Sequence, residues 1–117
     1  MNTKYGFSVI ALCAIAGCGG SVMSPSKLAA SEGSVRGAEE VGARQVPTAG
    51  LHLKLAQDEV TKAKALNQSG DGEAADRMLT RAQVDADLAI AVTKEAAARS
   101  AAEVVMGQVE KAQGDAK

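Results

Sequence analysis

Cys18 ends the stretch Ala14-Ile15-Ala16-Gly17-Cys18, and two glycines and a serine follow it at once. An aliphatic residue and two small ones let a backbone enter a peptidase site. The thiol that follows them is a nucleophile open to covalent modification. Cys13 is the only other thiol, and the bulky Leu12 before it makes it a poor candidate for the same reaction. A Cys13–Cys18 disulfide is the disfavoured alternative, because it would tie two residues within one apolar run. His52, in Leu51-His52-Leu53-Lys54-Leu55, is the single imidazole and reads as a surface or boundary residue. With no Cys/His cluster beside it, a zinc site is not expected. Asp85 and Asp87 invite a metal reading, but residues two apart point to different sides of a helix. They are expected to be solvated charges. Ser69-Gly70-Asp71-Gly72 lacks the lysine and hydroxyl pattern of a phosphate loop and reads as a turn. No catalytic, cofactor-binding or metal-binding residue is expected, and the chain does not read as an enzyme.

The segment that must position Cys18 is the start of the chain. Met1-Asn2-Thr3-Lys4 is short and basic, and Phe7 to Gly17 carries no charge. A basic start, an apolar run of about 7–15 residues and small residues at its end describe a secretory signal peptide, here residues 1–17. A membrane-spanning helix needs about 20 apolar residues, and this run is too short. Ile15 to Cys18 resembles a bacterial lipobox. That resemblance implies cleavage between Gly17 and Cys18 and acylation of Cys18. Acyl chains contribute about 0.8 kcal/mol per buried CH2, and more than one chain anchors stably. Residues 18–24 would then be a small, flexible lipidated tether, and 25–117 an alanine-rich helical domain. In enterobacterial lipoproteins an aspartate after the cysteine favours inner-membrane retention, and Gly19 stands there instead. The expected location is the bacterial envelope, facing the periplasm, with the outer membrane preferred.

Composition narrows the partners. Without residues 1–17 the chain has 100 residues, one domain at most, and its 12 basic and 14 acidic side chains leave a net charge of −2. The basic residues do not cluster as a nucleic-acid footprint requires. Tyr5 and Phe7 are the only aromatics, so the remainder has no platform for stacking bases and no aromatic-lined pocket. Membrane contact through Cys18, and an envelope protein or a second copy, are the expected partners.

The hydrophobic pattern is helical throughout. Ser24-Pro25 starts a helix predicted over 25–44, with a weak stripe through Leu28, Val35, Ala38 and Val41. Gly33, Gly37 and Gly42 weaken it. Pro47 ends that helix and opens the next, whose Ala49, Leu53, Ala56, Val60, Ala63 and Leu66 share one face. Asp58 and Lys62 are spaced as an ion pair on another face. Gly70 supplies a stop and Asp71 a cap. A long third helix is predicted over about 72–112, with a narrow stripe at Ala75, Leu79, Ala82, Ala86, Ala89, Thr93 and Ala96. Val84, Leu88 and Val92 mark a second face. Glu73–Arg77 and Glu95–Arg99 are acid-before-base pairs. The expected fold is all-α, an antiparallel helical hairpin or three-helix arrangement with a long C-terminal helix. Beyond Ala96 that helix should overhang, exposing Ala97, Ala101, Val104 and Val105 as an interaction face.

Leu53 to Ala91 resembles a bacterial domain-of-unknown-function family, number 4398, of small alanine-rich envelope lipoproteins. The residues that carry the resemblance are Leu53, Ala56 and Ala63, then Gly70-Asp71, then Ala75 and Ala82, then Asp85-Ala86 with Leu88-Ala89. The family pattern often has an aromatic after Gly-Asp, where this chain has Gly72. The resemblance implies an envelope location and supplies no catalytic residue. The hairpin is also similar to one tetratricopeptide unit, but an array needs about three. The expected function is a noncatalytic structural or protein-interaction module of the envelope. The alternative is a periplasmic carrier of a small apolar ligand held between helices; tightly packed alanines would leave it no cavity.

Overall fold

The computed structural model describes residues 20–116. The expected signal peptide, residues 1–17, and the expected lipidation site, Cys18, lie outside them. Three helices follow in order: α1 over Pro25–Glu40, α2 over Pro47–Gln68 and α3 over Gly72–Asp115. A single 3-10 turn, Ala43–Gln45, joins the first two. Glu32 pairs with Lys64 and Glu39 with Gln57, so α1 and α2 run in opposite directions. Ser31 meets Leu79, and Gly37 faces Ile90, so α1 and α3 run in the same direction. The fold is the expected all-α arrangement, with no strand among the described residues.

α1 is shorter than its apolar pattern predicts. It ends at Glu40, because Gly42 adopts a left-handed conformation (φ 82°) and its N–H caps the Glu39 carbonyl. Glycine is the residue that takes this cap without strain. Val41 is the C-cap of α1: it keeps a helical conformation, donates its N–H to the Gly37 carbonyl at 3.1 Å, and is exposed. Ser31 takes the buried position between Leu28 and Val35. Its hydroxyl lies 2.8 Å from the carbonyls of both Lys27 and Leu79 and joins α1 to α3. Pro47 begins α2 after an extended Val46, as the restriction on residues before proline requires. Gly70 (φ 87°) closes α2, and Asp71 caps α3 by accepting a hydrogen bond from the Ala74 N–H at 2.9 Å.

The core is built almost wholly of alanine. Ala49, Leu53, Ala56, Val60 and Ala63 of α2 are buried, and the same holds for the α3 stripe from Ala75 to Thr93. Small side chains at facing positions let the helix backbones approach closely. They also leave Leu53 and Leu79 as the only large apolar side chains among the described residues that are wholly enclosed. Glu73–Arg77 and Glu95–Arg99 form as spaced. The Asp58 partner differs from the expected Lys62: it is Lys54, at 3.5 Å. Lys62 instead contributes to the charge around Glu59.

Candidate functional site

Two ends of the bundle carry the features that bear on function. At the first, residues Ser21 to Ser24 run across the α2–α3 turn. The Gly72 N–H donates to the Ser21 carbonyl at 2.9 Å, and the Glu73 N–H donates to the Ser21 hydroxyl at 3.0 Å. The Met23 N–H reaches Asn67 Oδ1 at 2.9 Å, and the Ser24 N–H reaches Asp76 Oδ1 at 2.7 Å. The first two satisfy donors at the open N-terminal turn of α3, the other two satisfy donors of the segment itself, and together they hold it to both arms of the hairpin. The Met23 side chain is buried against Val60, Ala63, Ala75 and Leu79. Residues 20–24 therefore form a clasp, where their small side chains predicted a free tether. Gly72 makes it possible: a Cβ there would fall on the backbone of Ser21 and Val22.

At the other end α3 runs on past its neighbours. From Ala97 to Ala116 every residue is exposed, including Ala97, Ala101, Val104 and Val105. The 44 residues of α3 span about 66 Å at 1.5 Å per residue, of which the overhang takes about 28 Å. No described helix is long and apolar enough to cross a membrane.

Between the ends, His52 and Asp85 join α2 to α3, with Nδ1 and a carboxylate oxygen 2.9 Å apart. Asp85 is thus not the solvated charge its sequence setting suggested; only about a quarter of its side chain is exposed, as for His52. Cross-helix pairing of residues 33 apart leaves no local signal in the sequence. Glu59 lies nearby, its Oε2 buried without a hydrogen-bond partner. Burial, and next the negative charge of Asp85, push its carboxyl pKa upward, while Arg81 and Lys62 oppose the shift. No set of three such ligands among the described residues could hold a metal ion. Surface grooves, such as one of about 400 Å3 between Val35 and Val60, are open to solvent.

A family model described as Domain of unknown function (DUF4398) matches residues 26–105. The chain belongs to this family. The DUF4398 match takes in nearly all of α1, all of α2 and α3 as far as Val105, more than the Leu53–Ala91 pattern that carries the resemblance in sequence. It includes the first half of the overhang, as far as Val105, and the rest of α3 lies beyond it. No curated protein and no solved structure matches the chain.

Proposed function

We propose that this DUF4398 chain is a noncatalytic lipoprotein of the bacterial envelope, anchored by acyl chains on Cys18, facing the periplasm and presenting α3 to protein partners. The outer membrane is the preferred site. The observation that supports the reading best is the clasp. Ser21 is fixed to the hairpin end of the bundle and follows Cys18 by three residues, a reach of at most about 10 Å. An anchor at Cys18 would hold that end at the membrane and leave the overhang at the opposite end of the bundle. The alanine-filled interior favours a contact module over a carrier with an internal ligand cavity.

Metabolic labelling tests this reading. The wild type is expected to incorporate labelled palmitate and to sediment with membranes; Cys18→Ala should lose both properties, and Cys13→Ala neither. Acylated, membrane-bound Cys18→Ala protein would contradict the proposal.

A further inference from the structure

The overhang is not an unused length of core helix. The line of core positions that runs from Ala75 to Ala96 continues, at the same spacing, through Ser100, Glu103, Gly107 and Glu110. The face that packs inside the bundle thus turns polar where α1 and α2 end. A second line lies on the far side of α3. It begins beside the bundle with Val84, Leu88 and Ala91, all exposed. After Glu95 it continues through Ala98, Ala102, Val105 and Val109. The steps alternate four and three residues. A repeat of 3.5 residues keeps one line facing a partner helix, which makes the missing occupant helical.

We propose that the overhang of α3 is covered by the overhang of a second copy, packed antiparallel. The inference rests on reading α3 as an interaction surface. Flanking charges and side-chain sizes select the arrangement. A parallel, in-register pair would set Glu95 against Glu95 and Lys94 beside Arg99 of the other copy. An antiparallel pair centred on Ser100 would bring Asp87 to Asp115 and Arg99 to Arg99. Moving the copies half a heptad further out removes both clashes. Val109 then faces Ala98, and Val105 faces Ala102, so each layer joins a larger side chain to a small one. Glu95 lies at the edge, against Ala112. Lys94 meets Asp115 of the second copy, and symmetry makes that contact twice. Residues 95–112 of the two copies cover each other, so the two overhangs close on one another as a pair. Flanking charges set the partner and orientation in such helix pairs.

The test uses the full chain in detergent micelles. Lys94→Asp and Asp115→Lys should each weaken self-association about tenfold, read by sedimentation, because two ion pairs become repulsive. The doubly substituted chain should regain it. Ala98→Cys and Val109→Cys proteins should form a disulfide-linked species through those positions when mixed, identified by peptide mass, and neither should do so alone. Self-crosslinking of either variant through its introduced cysteine would show another arrangement and overturn the proposal. So would monomeric wild-type protein, or a double variant that fails to recover. Lipid attachment is read separately by the palmitate assay, so failure of the anchor and failure of the pairing give different results.

Discussion

Gly72→Ala is expected to release the N-terminal clasp and to destabilise the domain by about 2–4 kcal/mol. The new methyl group would fall on the backbone of Ser21 and Val22, and a backbone cannot swing aside as the end of a long side chain can. The segment must leave, and three effects follow. The Gly72 and Glu73 N–H groups exchange their bonds to Ser21 for bonds to water, and each bond contributes about 0.5–1.5 kcal/mol net. The buried Met23 side chain loses its site between α2 and α3, and full burial of such a side chain contributes about 1.5–3 kcal/mol. Ordering the freed residues no longer opposes folding, which offsets part of the loss. In a domain of this size a loss of 3 kcal/mol lowers Tm by more than about 10 °C. Thermal melts followed by circular dichroism would measure it. Gly33→Ala is the control. It lies inside α1 with nothing within 4 Å of a new Cβ, and it should raise stability by up to about 1 kcal/mol. An unchanged melt for Gly72→Ala would mean that the clasp contributes nothing.

Leu79→Ala should cost about 2–5 kcal/mol, toward the upper part of that range. Leu79 is wholly enclosed, and its neighbours in α2 and α3 include Ala63, Ala75 and Ala82. The alanines cannot swing into a vacated space, so most of the cavity persists, and the flexible Met23 side chain can fill part of it. The Ser31 hydroxyl contact is to the Leu79 backbone carbonyl and survives the substitution, which isolates the packing loss. Denaturant titration should show a lower midpoint with an unchanged slope. Leu51→Ala, at a position more than half exposed, should shift stability by less than about 0.5 kcal/mol. Equal effects at the two positions would contradict the assignment of the core face.

The α2 and α3 stripes were legible because three- and four-residue spacing survives even when the apolar residue is only alanine. Pro47, Gly70 and Asp71 marked their boundaries for the same local reason. The end of α1 was harder to place. Gly42 resembles Gly33 and Gly37 in sequence, and only its left-handed conformation makes it a stop. The clasp was not legible at all. It joins Ser21–Ser24 to residues 67–76 largely through backbone N–H groups, and small residues near Cys18 suggested mobility instead. His52 and Asp85 were likewise read singly, since nothing local couples two helices that meet in space. The overhang was foreseen from length. The sequence places its interaction face at Ala97, Ala101, Val104 and Val105, whereas the line opposite the core stripe runs through Ala98, Ala102, Val105 and Val109 and shares only Val105 with it.

The central claim is that the residues just after Cys18 are fixed at one end of the bundle while the overhang extends from the other. A pulsed electron–electron distance between spin labels at Val22 and Gln108 tests both parts together, in a full chain with Cys13 and Cys18 replaced by serine. Val22 lies beside Gly72, and 36 helical residues separate Gly72 from Gln108. With the labelled chain diluted into an excess of unlabelled chain, so that each pair carries labels on one copy only, the account predicts one narrow distribution near 54 Å at about 1.5 Å per residue. A broad distribution would show a free N-terminal tether, and a short distance would show an overhang folded back on the bundle; either would contradict the account.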